Sequence, residues 1–235
     1  YDAFPLAAII RDILTLGSQA MGRPVEIEYA VNLNRKAPKK PEFSLLQIRP
    51  IALGSEERDV SISKEERERS LVYSTVVLGN GKVEGLKDFV HLKLETFDAS
   101  EMQHMALELE QINGRMVEEE RDYILLVAGR LGSADPWLGI PVSWSQISRA
   151  KVIIETGLKE FQVEPSQGTH FFQNMTSLGC IYYTINPEYR SGHLDLNQMK
   201  DLAIITETDH FVHVRSESEF LVKANWFRGE GVVLR

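Results

Sequence analysis

Three polar side chains near the start of the chain have the types and spacing of a site for magnesium and a nucleotide. Glu28 and Gln47 lie in two segments rich in strand-forming residues. Magnesium takes oxygen ligands, so a carboxylate and an amide oxygen on neighbouring strands can hold a magnesium ion that also binds phosphates. Arg49 follows Gln47 by two residues and shares its strand face, and its guanidinium can bind a phosphate through two nitrogens. Because exposed hairpin faces are commonly polar, spacing alone leaves a solvated surface as the alternative.

A helix followed by a hairpin is predicted to position these three residues. Apolar residues recur at helical spacing over residues 6–21, and Gly22 and Pro24 end the helix. Residues 25–30 and 43–48 are predicted to form the two strands, joined by a basic loop over residues 32–41.

The strings in this region resemble a known nucleotide-binding domain. The segments M-G-R-P-V-E-I-E-Y-A and F-S-L-L-Q-I-R-P-I are similar to the end of the ATP-grasp domain of phosphoenolpyruvate synthase and pyruvate phosphate dikinase. The resemblance covers residues 1 to 52. It implies that Glu28 and Gln47 are magnesium ligands and that Arg49 is a catalytic residue that binds the ATP phosphates.

The resemblance also implies what the larger protein does. In this family ATP phosphorylates a protein histidine, and the phosphate then passes to pyruvate. The family's T-S-H-A phosphohistidine string is absent from the 235 residues, as are its pyruvate-binding barrel and the N-terminal ATP-grasp elements. The expectation is therefore a C-terminal fragment of an ATP-dependent phosphotransferase whose ligands are ATP, Mg²⁺ and pyruvate or phosphoenolpyruvate. The fragment alone is expected to be inactive and to bind ATP poorly or not at all.

A second group of polar residues lies in two later loops. Residues 129–141 read G-R-L-G-S-A-D-P-W-L-G-I-P and follow an apolar strand, and residues 165–174 read P-S-Q-G-T-H-F-F-Q-N. Glycine-rich loops after buried strands bind ligands in α/β proteins, and their N–H groups can surround an anion. The candidates for a pocket that takes a phosphorylated or carboxylated ligand are Arg130, Ser133, Asp135, His170 and Gln173. The alternative is that Gly, Asp and Pro build tight turns and that His170 makes a structural hydrogen bond.

Both loops also resemble a C-terminal region of some bacterial phosphoenolpyruvate synthase-like proteins, with Leu131 where Trp is usual. This resemblance assigns a family and no mechanism. It leaves a second function open, in which residues 71–235 are a non-catalytic ligand-binding or regulatory module.

Composition narrows the classes of partner. A net charge of −8 argues against nucleic acid, whose phosphates favour clustered Lys and Arg. The one cysteine, Cys180, allows no intrachain disulfide, which fits a reducing cytoplasm. No apolar run approaches the ~20 residues that span a membrane, and no secretory signal is present. A homodimer is left open.

The chain divides into three predicted parts. Residues 1–53 are the end of an ATP-grasp domain, residues 54–70 a charged linker, and residues 71–235 a mixed α/β domain, with α+β as the alternative class. Helices are predicted over residues 98–119, 145–150, 169–177 and 196–202. Strands are predicted over residues 71–78, 89–94, 123–128, 152–155, 180–185, 203–207, 211–215 and 220–224.

Overall fold

The computed structural model contains two compact units, Tyr1–Ala52 and Leu53–Arg235. It describes residues 4–21, 25–33, 41–50, 60–133, 135, 137–158, 179–186 and 191–235. Helices occur together with parallel and antiparallel strands, which confirms the predicted α/β or α+β class. None of the helices in the described part of the chain has the length and apolar character needed to cross a bilayer.

The first unit is one helix on a two-stranded hairpin. Helix α1 (Leu6–Met21) has the predicted bounds, and strands β1 (Val25–Asn32) and β2 (Glu42–Pro50) pair antiparallel as predicted, each longer than expected. The helix lies close on one face of the hairpin at Gly17. A Cβ atom there would lie 2.5 Å from Ile48 Cδ1 and 2.9 Å from Val25 Cγ2.

The second unit is built around a ten-stranded sheet. Its α-helices are α2 (Lys64–Arg69) and α3 (Met102–Glu118). Its strands are β3 (Val72–Ser74), β4 (Val76–Leu78), β5 (Gly81–Leu92), β6 (Tyr123–Ala128), β7 (Arg130–Leu131), β8 (Gly139–Ile140), β9 (Ala150–Thr156), β10 (Ile181–Ile185), β11 (Gly192–Leu194), β12 (Ala203–Glu207), β13 (Phe211–Asn225) and β14 (Glu230–Leu234). The sheet order is β11-β3-β14-β13-β5-β6-β9-β10-β4, with β12 beside β13, and β7 and β8 form a separate pair.

The centre of the sheet is parallel and buried on both faces. Strands β5, β6, β9 and β10 run parallel to one another, and the other pairs in this sheet are antiparallel. Alternate residues of β6 serve different cores. Leu125 and Val127 pack in the cluster that includes α3, whereas Ile124 and Leu126 pack in the cluster on the opposite face. This accounts for the continuous apolar run that predicted a strand buried on both sides.

The sheet curls so that its two ends meet. Strands β3 and β4 are separated only by Thr75, yet β4 is the last strand in the order and β3 is second from the other end. Ser74 Oγ of β3 donates to Thr184 O of β10 at 2.6 Å, and Tyr183 of β10 donates from its hydroxyl to Lys223 O of β13 at 2.9 Å. The sheet therefore encloses one apolar cluster and carries the other beneath α3.

The segment predicted as a charged linker is folded in its second half. Ser63 caps α2 by accepting from Glu66 N at 3.1 Å, and Arg67 forms an ion pair with Glu230 of β14 at 2.9 Å. Val60 is buried. Residues 60–70 are thus part of the second unit, because their charges pair with strand residues, and residues 51–59 lie outside the described residues.

Other elements differ from expectation mainly at their boundaries. The predicted strand 71–78 is two strands, and predicted strands 211–215 and 220–224 are the single strand β13. The predicted helix 98–119 opens with a 3-10 turn at Ala99–Glu101, whose cap Asp98 accepts from Ser100 N at 2.8 Å. The structure has 3-10 turns where helices are predicted over 145–150 and 196–202, and strands β7, β8, β11 and β14 have no predicted counterpart. The predicted helix over residues 169–177 lies outside the described residues.

Candidate nucleotide and ligand sites

The hairpin brings the predicted magnesium and phosphate residues onto one face. Glu28 lies directly opposite Gln47, and Glu26 lies directly opposite Arg49. Directly opposed residues of an antiparallel pair point to the same side. The apolar residues that face α1 occupy the alternate positions, so these four polar side chains lie on the face away from the helix.

A β-bulge follows Glu28 and Gln47 in the hairpin. Glu28 pairs with Gln47, but the next residue, Tyr29, pairs with Leu45, which leaves Leu46 as the extra residue. Beyond the bulge the Tyr29 and Phe43 rings stack with centroids 5.2 Å apart. Bulges are frequent beside functional sites because they redirect side chains. The bulge shifts the pairing by one residue, so the next opposed residues on the polar face are Ala30 and Ser44.

Arg49 is held by a residue that the sequence did not single out. Its Nε donates to Glu26 Oε1, and the Arg49 and Glu26 side chains are 30% and 31% exposed. Its Nη2 is buried and has no hydrogen-bond partner in the described structure. A buried guanidinium nitrogen without an acceptor is unfavourable, and an oxygen of a bound phosphate would satisfy it. The alternation of β1, with acidic residues at two successive outward positions, was the available signal for Glu26.

The oxygens that the protein offers on this face can hold magnesium only if a bound ligand supplies further oxygens. The described residues contain no group of three or more His, Cys, Asp or Glu side chains that could hold a metal. Magnesium is often held by one or two carboxylates together with the phosphates of its substrate. Glu28 and Gln47 fit that pattern, with a nucleotide supplying the remaining oxygens.

In the second unit, backbone amides of the glycine-rich loop over residues 129–141 donate hydrogen bonds to acceptors within the protein. Gly129 N donates to Thr156 O at 3.1 Å, and Gly132 N donates to Ile140 O at 2.9 Å. Within residues 129–138, the backbone N–H groups that donate to protein acceptors are those of Gly129, Arg130, Leu131, Gly132, Asp135, Trp137 and Leu138. An anion nest needs free N–H groups, so these amides do not supply one.

Ser133 and Asp135 contribute to turns. Ser133 Oγ donates to Asp135 O at 2.9 Å, and Asp135 Oδ1 accepts from Trp137 N at 2.9 Å. Gly129 and Gly132 have φ angles of 72° and 68°, which favour glycine. These contacts favour the turn-building interpretation of the loop. Arg130 lies in β7 and is half-buried.

A buried carboxylate that the sequence did not flag lies beneath this loop. Glu155, at the carboxyl end of β9, accepts from Leu131 N at 2.9 Å and from the Tyr182 hydroxyl. It is 2% exposed. The signal was an acidic residue in the otherwise apolar string V-I-I-E. Glu155 therefore anchors the loop to the parallel strands.

A buried hydroxyl without a partner lies next to Glu155. Thr184 of β10 is directly paired with Glu155, so both side chains are on the same face. Its Oγ1 is buried and has no hydrogen-bond partner in the described part of the chain. Glu155, Tyr182 and Thr184 form a polar group within an otherwise apolar face.

The remaining predicted ligand residues, His170 and Gln173, lie outside the described residues. Their roles, and that of Arg130 in ligand binding, stay predictions. Comparison with protein-family models, curated proteins and solved structures found no match.

Proposed function

We propose that the helix–hairpin unit is the closing wall of a magnesium–ATP site in a phosphoenolpyruvate synthase-like phosphotransferase. In this proposal Glu28 and Gln47 hold the magnesium ion, and Arg49 binds an ATP phosphate. Magnesium, when bound, neutralises charge on the phosphates. Pyruvate is the proposed phosphate acceptor of the larger protein, and this chain supplies one side of its nucleotide site.

The register of the hairpin carries the proposal. Glu28 and Gln47 are direct cross-strand partners, and Arg49 lies on the same face with one guanidinium nitrogen buried and unpartnered. Two hard oxygen donors beside a guanidinium with one unpartnered nitrogen match the charge pattern of a magnesium-bound phosphate. The Glu26 carboxylate balances part of the positive charge of Arg49 and orients its guanidinium through Nε.

The exposed apolar side chains of this unit also support a place within a larger domain. Leu16 is 65% exposed and Leu46 is 64% exposed. An isolated two-stranded hairpin is only marginally stable, and a helix covers just one of its faces. A nucleotide-binding domain would cover such residues.

The proposal predicts weak binding of magnesium–ATP at a defined place. One wall supplies few contacts, so we expect a Kd of about 1 mM or weaker, which corresponds to about −4 kcal/mol. In two-dimensional NMR spectra of the chain, Mg·ATP is expected to shift amide resonances of β1 and β2 around Glu28, Gln47 and Arg49. Glu28→Ala and Gln47→Leu are each expected to reduce these shifts several-fold, because each removes a magnesium ligand.

The control lies on the same hairpin. Glu42 is an exposed carboxylate paired with Asn32, beyond the bulge, and Glu42→Ala is expected to leave the shifts unchanged. Equal shifts in the Glu28→Ala and Glu42→Ala variants would contradict the proposal. The binding would then respond to the loss of any carboxylate on the hairpin and not to the loss of a magnesium ligand at Glu28.

The described contacts give the alternative module no support as an anion site, because the loop amides are engaged. It stays a prediction for Arg130, His170 and Gln173. Isothermal titration with ATP, AMP, phosphoenolpyruvate and pyruvate tests it, and an absence of heat with all four would exclude it.

A further inference from the structure

We propose that the carboxyl ends of β9 and β10 form a binding site for one sodium or potassium ion, with side-chain oxygens of Glu155, Tyr182 and Thr184 as ligands. Glu155 and Thr184 are the last residues but one of their strands. In parallel sheets, ligands bind at this end of the strands. The inference concerns the second unit alone and does not depend on the proposed nucleotide site.

The parallel register of β9 and β10 brings these three side chains to one place. Glu155 is directly paired with Thr184, and Tyr182 lies two residues before Thr184 on the same face of β10. The Tyr182 hydroxyl donates to Glu155 Oε2, which holds the phenol oxygen beside the carboxylate. Neighbouring strands lie about 4.8 Å apart, so side chains that are paired across them can contact the same small ligand.

The Thr184 hydroxyl is the observation that points to a bound ligand. Thr184 is 7% exposed, and its Oγ1 has no hydrogen-bond partner in the part of the chain that the structure describes. A buried hydroxyl without a partner is unfavourable, and a ligand bound beside it removes that cost. Because Glu155 lies on the same face, this ligand also lies beside a buried carboxylate.

The chemistry of the three groups favours a cation with a single charge. Carboxylate and hydroxyl oxygens are hard donors, which bind hard cations. A carboxylate that is 2% exposed on an otherwise apolar face favours a positive charge close to it. The described residues contain no group of three or more His, Cys, Asp or Glu side chains that could hold a metal. One carboxylate with two neutral hydroxyls therefore matches a monovalent ion.

Thermal unfolding of the full chain in chloride salts of equal ionic strength tests this proposal. Sodium chloride or potassium chloride is expected to raise the unfolding midpoint relative to choline chloride, whose cation is too large for the site. An ion that binds only the folded state stabilises it, so the expected rise is about 3–6 °C when the salt is at roughly ten times the Kd. The salt that gives the larger rise identifies the ion.

Two variants remove the proposed ligands, and a third is the matched control. Thr184→Val and Glu155→Gln are each expected to abolish the rise, because the first removes a hydroxyl and the second a charge. Thr184→Val is also expected to be at least as stable as wild type in choline chloride, since it removes an unpartnered hydroxyl and keeps the shape of the side chain. Thr156 is buried too, but it is paired with Ile185 on the opposite face, and its hydroxyl donates to Gly157 O at 3.2 Å. Thr156→Val is therefore expected to keep the rise.

Three results would overturn the proposal. Equal wild-type midpoints in the three salts would show that no ion binds, and a buried water would then satisfy the Thr184 hydroxyl. A rise that persists in a folded Thr184→Val or Glu155→Gln protein would place the ion elsewhere. Loss of the rise in Thr156→Val would show that the ion dependence does not belong to the face that carries Glu155 and Thr184.

Discussion

Asp88 is a buried carboxylate of the second unit that accepts hydrogen bonds from three basic side chains. Its buried carboxylate accepts from Arg121 Nε at 2.8 Å, from His213 Nε2 at 2.8 Å and from Arg215 Nε at 2.6 Å. Burial alone would raise the pKa of Asp88, but the hydrogen bonds from His213, Arg215 and Arg121 outweigh it and hold the pKa below its ordinary value. This cluster ties β5 to β13 and to the turn before β6.

The lowered pKa of Asp88 predicts a pH dependence of stability. A carboxyl group whose pKa falls on folding stabilises the fold above its ordinary pKa, here 3.8, and this contribution is lost as the pH falls through the lower, folded pKa. Asp88→Asn is expected to lower the free energy of unfolding at pH 7 by about 2–4 kcal/mol, because Arg121 and Arg215 lose their buried partner. The difference from wild type should shrink below pH 4, as measured by urea unfolding across pH.

The control for this prediction is an ion pair at the surface. Asp201 forms a pair with Arg235 at 2.6 Å but has a side chain that is 70% exposed. Asp201→Asn is expected to change stability far less than Asp88→Asn, because solvent screens an exposed pair. An Asp88→Asn protein as stable as Asp201→Asn at pH 7 would contradict the account of the cluster.

Residue types and spacing were sufficient to place Glu28, Gln47 and Arg49 together, because a hairpin brings successive strands side by side. The Glu26–Arg49 pair could not be predicted in the same way. Its existence depends on the register, which the Leu46 bulge shifts by one residue, and the sequence carries no local signal for that bulge.

At the scale of elements, the sequence predicted correctly those helices and strands whose bounds are set by a local pattern of apolar residues. Helix α1 and strand β6 have the predicted bounds, since one has a strong helical period and the other is uniformly apolar. The break at Thr75 is set by distant contacts instead, with Thr75 N donating to Ser191 O at 2.7 Å. Strand β13 continues through its polar middle because Glu219 there accepts from Gly85 N of β5 at 2.9 Å.

The glycine-rich loop gives a prediction about β7 and β8. A Cβ atom at Gly139 would lie 2.0 Å from Arg130 O, a backbone atom that cannot move without breaking the β7–β8 pair. Gly139→Ala is therefore expected to destabilise the protein by about 1–3 kcal/mol, as overpacking does. Thermal and denaturant unfolding provide the measurement.

Gly114 is the matched control, since it is exposed in α3 and a Cβ there has no atom within 4 Å. Gly114→Ala is expected to stabilise the protein by about 0.5–1 kcal/mol, as alanine does in a helix. A Gly139→Ala protein as stable as wild type would show that the loop does not need this close approach.

At the scale of the whole molecule, the curled sheet is what the sequence could not show. The sheet pairs β3 with β14 and β4 with β10, strands that are more than a hundred residues apart in the chain. No local period encodes such pairing, and the apolar string 71–78 gives no sign that its halves belong to opposite ends of one sheet.

The hydrogen bond from the Tyr183 hydroxyl offers a test of how the curled sheet is held together. Burial raises the pKa of Tyr183, so its hydroxyl stays protonated and donates to Lys223 O across the interior. Tyr183→Phe is expected to destabilise the fold by about 0.5–1.5 kcal/mol, the usual contribution of one hydrogen bond. Tyr73→Phe, at a half-buried tyrosine of β3, should have a smaller effect. Equal unfolding midpoints for wild type and Tyr183→Phe would argue against the bond across the sheet.

The most direct test of the nucleotide site is paramagnetic relaxation with manganese, which replaces magnesium on ATP. Mn·ATP is expected to broaden the amide resonances of Glu28 and Gln47 first, and this broadening should disappear in the Glu28→Ala/Gln47→Leu double variant but persist in Glu42→Ala. Broadening that is centred elsewhere, or that is unchanged in the double variant, would contradict the assignment of the hairpin's polar face as a metal–nucleotide wall.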